Sequence, residues 1–169
     1  MTVSNAAYLK AFHEKTMALG AKAISSDFTM QIIGYEDIYL LTKQCPWPTL
    51  TPQGEIEVST PLGGKIFEAQ QIATALQGQV AFYETVKGQI DQALLDLIVN
   101  SSQMARFDAI IYKGTPEHYI EARRIFDCFM QLDQPDLDWE NRSQPLLISG
   151  TMFYHYFGDK LAGNSENYR

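Results

Sequence analysis

Two cysteines and three histidines are few among 169 residues, and their scarcity removes several classes of function at once. Cys45 lies in a proline-rich stretch and Cys128 in an apolar run. Neither the count nor the spacing fits a disulfide framework or a metal knuckle, so they read as a loop thiol and a small buried apolar group in a reducing compartment. His13, His118 and His155 are the ordinary bases available for hydrolysis, and none stands beside a nucleophile and an orienting acid. His13 falls on the polar side of a helical segment, His118 in a turn and His155 in an aromatic strand. No run of about 18 apolar residues occurs, and positions 1–20 lack a basic segment followed by an apolar one. The expectation is a protein made in the cytoplasm that does not span a membrane and is not exported by a signal peptide. Basic residues are also short: 13 Lys and Arg against 20 Asp and Glu give a net charge of −7, which repels nucleic acid and anionic membranes.

The usual ligand-binding signatures are missing too. Pro61-Leu62-Gly63-Gly64-Lys65 lacks the leading glycine and the trailing hydroxyl of a phosphate loop and reads as a turn. Asp133, Asp136, Asp138 and Glu140 lack the glycine and closing glutamate of a calcium loop, leaving a solvated connector or an interface rim. Paired glycosidase carboxylates are defined by separation in space, and no local feature favours them. The expectation is therefore no catalytic residue, no cofactor and no metal.

What is present is an apolar fraction of 46%, enough for one domain over 1–169 with a core at about 25–158. Tyr8, Leu9, Phe12 and Leu19 among charged residues predict a short N-terminal helix within 5–20, ending at Gly20. Positions 27–33 and 38–43 read as strands of a hairpin around Gly34-Tyr35-Glu36-Asp37. The three prolines of 46–52 force a loop; Glu55 to Ser59 alternates like a strand, and a turn follows. About 20 residues with so little regular structure are unusual in a compact domain unless they contact something else. Strands are predicted at 79–86 and 107–113, flanking a helix at 89–101 that carries Ile90, Leu94, Leu97 and Ile98. Positions 119–132 place Ile120, Ala122, Phe126, Cys128, Met130 and Leu132 on one side of a long strand. Glu121, Arg123, Asp127 and Gln131 fall on the other. An acidic connector at 133–144 leads to an aromatic strand at 145–157, and the tail 159–169 is expected to be flexible. The fold class is mainly β with some α: an antiparallel barrel or sandwich with one flanking helix, a long loop and a short N-terminal helix.

Asp136-Leu137-Asp138-Trp139-Glu140, followed by Leu146-Leu147-Ile148-Ser149-Gly150-Thr151-Met152-Phe153-Tyr154-His155-Tyr156-Phe157, resembles the last strands of tail tube proteins from contractile-tailed bacteriophages. The upstream order of strand, helix and strand fits that family, and the segment 45–65 takes the place of its loop toward the adjacent ring. The resemblance implies a virion structural protein, not an enzyme: hexameric rings stacked into the inner tail tube through which DNA is ejected without specific binding. It further implies contacts with the tail sheath, the baseplate hub and the tail terminator, and a tape measure protein in the lumen before ejection. The stacking interface is expected from Trp47, Leu50, Ile56 and Val58, with Tyr8 and Phe12 as additions. The lumen is expected from Glu121, Arg123, Asp127 and Gln131, with Glu84 and Lys43, unless these face the outer wall. Trp47 and Trp139 either anchor their loops or reach a partner. A tube initiator, a baseplate protein or the tube of a phage-derived injection system would share this fold. A small ligand-binding or hydrolytic β-barrel is the remote alternative.

Overall fold

The computed structural model describes residues 5–100 and 104–165. Helix α1, Ala6–Ala18, starts where the Asn5 side chain accepts the Tyr8 amide at 2.8 Å, leaving fewer of the first-turn donors to water. It stops at Gly20, whose φ of 85° suits a left-handed C-terminal turn. Strand β1, Thr29–Ile32, follows, but the expected hairpin does not form. Gly34 turns at φ 97°, the Glu36 carboxylate accepts its amide at 3.0 Å, and Glu36–Leu41 coil into a 3-10 turn. That turn packs Ile38 and Leu41 against the core and leaves only Thr42–Gln44 as strand β2. The apolar positions thus follow a three-residue period where an alternating one is expected.

Strands β3, Glu55–Ser59, and β4, Lys65–Ala69, pair as an antiparallel two-stranded unit separate from the main sheet. The remaining elements are β5 (Ala75–Tyr83), α2 (Gln89–Leu95), β6 (Phe107–Gly114), β7 (Tyr119–Leu132), β8 (Leu147–His155) and β9 (Lys160–Ala162). Helix α2 continues as a wider turn over Asp96–Asn100; Ser101, included in the helix expected from the sequence, lies outside the described residues. The main sheet runs β1-β6-β7-β8-β5-β2, with β9 also on β7. Thus β1 pairs with β6 and β2 with β5.

Strand β7 joins two layers. Its first half pairs with β6 and β9, its second half with β8. The crossing point is a bulge at Asp127, φ 53°, where the Asp108 carboxylate accepts the Asp127 amide at 3.1 Å. Met30, Ile111, Ile125, Val80, Phe82 and Met152 meet between the layers, and Ile90 and Leu97 of the helical segment pack on the same core. A bulge inserts one residue and reverses the facing of all that follow. Ile125 before the bulge and Cys128 after it therefore share the buried face, Phe126 is only partly buried, and Ile120 is exposed. The predicted single polar face of β7 does not exist.

The tail departs from its expected flexibility as well. Lys160–Ala162 form β9, and Asn164 ties to β7 by accepting the Tyr119 amide at 3.0 Å. Residues 166–169 lie outside the described residues.

Candidate assembly surfaces

The segment 45–73 divides into an anchor and an arm. Pro46 packs over Gly78 of β5 so closely that a Cβ there would stand 2.4 Å from the proline ring. Pro48 is fully buried, and Trp47 packs against the core. The Lys113 ammonium lies 4.7 Å and the Arg123 guanidinium 4.4 Å from the Trp47 ring centroid. Trp47, expected in the stacking interface, is instead the residue that fastens the loop to its own domain, because two cations and the core already occupy its faces. Leu50 is exposed and stands beside Gly158.

Beyond the anchor, the chain leaves as a ribbon. Backbone hydrogen bonds from Ala73 to Thr51, Gln53 to Gln71 and Gln70 to Gly54 (2.8–2.9 Å) extend the β3–β4 ladder to its base. Every residue of β3 and β4 is exposed. Register places Ile56 opposite Glu68 and Val58 opposite Ile66, so Ile56, Val58 and Ile66 share one face. Phe67 lies on the other face, beside the Lys65–Glu57 ion pair. Leu62 at the tip is fully solvent-exposed at φ 65°, a conformation that costs a leucine energy and that a partner contact can repay. Ile56 and Val58, expected in the stacking interface, are thus exposed on one face of the ribbon. Ile66, Phe67 and Leu62 join them unforeseen; Lys-Ile-Phe-Glu-Ala at 65–69 carried the strand signal.

The residues expected in the lumen scatter. Arg123 pairs with Ile111 across β6 and turns toward the loop, where it bonds Glu121 Oε1 at 3.1 Å and the Pro48 carbonyl and keeps only 12% of its side chain exposed. Glu121 also meets Lys113 at 3.4 Å and Lys160 at 3.5 Å. Burial pushes the Glu121 carboxyl up, but Arg123 and Lys113 outweigh that and hold it below the ordinary carboxylate range. Asp127 holds the bulge and pairs with Arg106. Glu84 caps α2: its carboxylate accepts the amides of Thr85 at 2.8 Å, Ile90 at 3.1 Å and Asp91 at 2.9 Å. Glu84→Ala is expected to cost about 1–2 kcal/mol, seen as a lower midpoint in urea with an unchanged slope.

Gln131 alone of the four β7 residues lies on the outward face of β7, β8 and β5. Cross-strand register aligns Gln131, Thr151 and Gln79 in one row and Phe129, Phe153 and Gln77 in the next. Lys43 reaches the rim, 5.6 Å over the Tyr83 ring. The rows carry amides and a hydroxyl but no charge. Phe129 and Phe153 stack at 4.9 Å, and His155 stacks on Phe157 at 6.3 Å. Tyr8 and Phe12 are exposed on α1, away from the ribbon's ladder. Among the described residues, no three His, Cys, Asp or Glu side chains converge as a metal site requires, and no helix is long and apolar enough to cross a membrane.

A cleft of about 570 Å³ lies between the segment before β1 and the loop anchor, with Lys43, Cys45, Trp47 and Lys113 in its wall. Its Lys113 is held by Glu121 and Trp47, and burial pushes the Cys45 thiol up to about 12, so neither is a ready nucleophile.

No family model matches the chain, and no curated protein does. Solved structures do. A chain of the sheath–tube complex of an extracellular contractile injection system (PVC) in the extended state superposes with a TM-score of 0.57 at 11% identity, covering 88% of this chain and 97% of that one. A chain of the sheath/tube terminator of such a system gives 0.56 at 12% identity, over 85% and 99%. A chain of the anti-feeding prophage baseplate gives 0.57 at 11% identity, over 85% and 97%. The mainly antiparallel, tube-type fold of contractile tails and injection systems is the fold of this chain.

Proposed function

We propose that the chain is a non-enzymatic structural subunit of the inner tube of a contractile tail or injection machine, assembling as hexameric rings that stack into a conduit. The observation that carries this reading is the β3–β4 ribbon. A two-stranded unit is marginal in water by itself, and this one projects a face on which Ile56, Val58 and Ile66, beside Glu68, stay exposed. A neighbouring ring covers it. Lateral closure uses the outer edges of β1 and β2, which carry no strand partner among the described residues; joining copies edge to edge leaves no sticky end.

The lumen wall in this reading is the outward face of β5, β8 and β7, centred on Gln79, Gln131 and Thr151 rather than on Glu121. An uncharged amide and hydroxyl surface offers phosphate no cation to hold, and the acidic chain around it discourages adsorption. Nucleic acid, or whatever such a machine carries, passes without binding. The sheath outside, the baseplate hub and the terminator at the ends, and a tape measure inside are the partners of such a tube.

A second reading, a terminator or baseplate component, is favoured by the similarity to chains of those assemblies, which matches that to the sheath–tube complex. Negative-stain electron microscopy of the concentrated protein separates the two. Long hollow tubes support the tube subunit; single rings that never stack favour the terminal component; a population of monomers that persists with a baseplate template rejects both.

A further inference from the structure

Stacked rings leave α1 without a role. Every residue of α1 is exposed and none is buried against its own domain. Tyr8, Phe12 and Leu19 fall on one side of the helix, with the Tyr8 and Phe12 rings 4.6 Å apart. Lys15 extends along the same side, its ammonium 5.6 Å over Phe12. A helix of 13 residues is marginal alone in water, and its stability ordinarily comes from covering such a stripe.

Charge identifies what covers it. Residues 5–22 carry Lys10, Lys15 and Lys22 against Glu14, a net +2; the chain as a whole carries −7, leaving −9 on the rest. This segment therefore carries charge opposite to that of the rest of the chain and is drawn to an acidic surface. Among the exposed surfaces that offer both acidic charge and apolarity, the connector between β7 and β8 exposes its apolar side chains most fully. The connector between β7 and β8 holds Leu137 at 83% and Trp139 at 81% exposure among Asp136, Asp138 and Glu140. Beside them lies a cleft of about 280 Å³ walled by Pro135, Leu137 and Pro145 together with Asp136, Asp138 and Asn141, so an aromatic ring and a lysine can be met together. The aromatic rows around Phe129 and Phe153 have no carboxylate to meet a lysine.

We propose that α1 is an arm exchanged between copies: its Tyr8–Phe12 stripe seats on the Leu137–Trp139 surface of a second copy, with Lys15 beside Asp136 and Asp138. The proposal rests on the self-assembly reading, and it adds a contact independent of the ribbon. The arm crosses to its neighbour on residues 20–28, at most roughly 30 Å of chain. It ties copies together even where apolar stacking is weak.

The test mixes full-length Phe12→Cys protein with full-length Leu137→Cys protein under mild oxidation, with the same samples imaged by electron microscopy. The native thiols are poor competitors, since Cys45 is held protonated and Cys128 is buried. A disulfide-linked mixed dimer is expected in the mixture, lost when the first protein also carries Lys15→Glu and regained when the second carries Asp136→Lys and Asp138→Lys. Absence of the mixed dimer overturns the arm, whether or not tubes are seen. A Phe12→Cys protein that links to itself as readily as to its partner overturns it too, because α1 then pairs with α1. Mixed dimers without tubes support the arm while counting against ring stacking.

Discussion

Ile56→Asp is expected to give a monomer as stable as the parent and no tubes at all. Ile56 stands on the ribbon outside the core cluster, opposite Glu68, so the substitution weakens only the ribbon's own pairing, and thermal unfolding of the body should be unchanged. In a stack the same carboxylate enters a covered apolar contact without a cation, at a cost of about 3–5 kcal/mol. That weakens each contact by roughly two to four orders of magnitude, since about 1.4 kcal/mol is tenfold, and every subunit of a ring carries the defect. Sedimentation and negative-stain imaging read the loss; calorimetry reads the unchanged fold. Normal tubes from the variant would remove the ribbon from the stacking contact.

Arg123→Ala is expected to have the largest effect on stability. Arg123 donates to Glu121 and to the Pro48 carbonyl, and stacks on Trp47 and, at 5.9 Å, on Tyr156. Its loss leaves a carbonyl without its donor, a tryptophan face bare and a carboxylate dependent on two more exposed lysines. Removing one member of such a cluster costs about 3–5 kcal/mol, which for a domain of this size lowers the melting temperature by roughly 10 °C. Arg123→Lys keeps the charge but not the planar fork, and an intermediate loss is expected. A variant as stable as the parent would show that the loop anchor rests on Pro46 and Pro48 instead.

Those two residues also show what the sequence made legible and what it did not. The elements with strong local patterns, α1, β6, β7 and β8, lie close to where their periodicity places them, and the tube-type order was visible as strand, helix and strand over 79–113 and as strand, acidic connector and aromatic strand in the last third. The facing of β7 was not. Its alternation reads cleanly from Glu121 to Gln131 only if nothing interrupts it, and the bulge at Asp127 is made by a non-local partner, Asp108, that no pattern within 119–132 announces. The same limit separated Glu84 from the lumen: its role as the cap of α2 depends on a turn at Thr85–Gly88 bringing the helix start back to it. Trp47 was placed in the right loop and assigned to the wrong side, because the two cations that enclose it come from β6 and β7. Strand β4 was missed because the glycines and proline of the tip obscured a five-residue strand signal beside it.

The ribbon from Thr51 to Ala73 has one more consequence. Two hydrogen-bonded strands resist being pulled along their length, where the covalent chain bears the load, yet they twist and flex easily across it. Nine residues on each side make a lever of roughly 30 Å, rooted where Pro46 and Trp47 grip the body. A column held together by such levers is strong in tension and forgiving in curvature, the mechanical character of a hose rather than a rod.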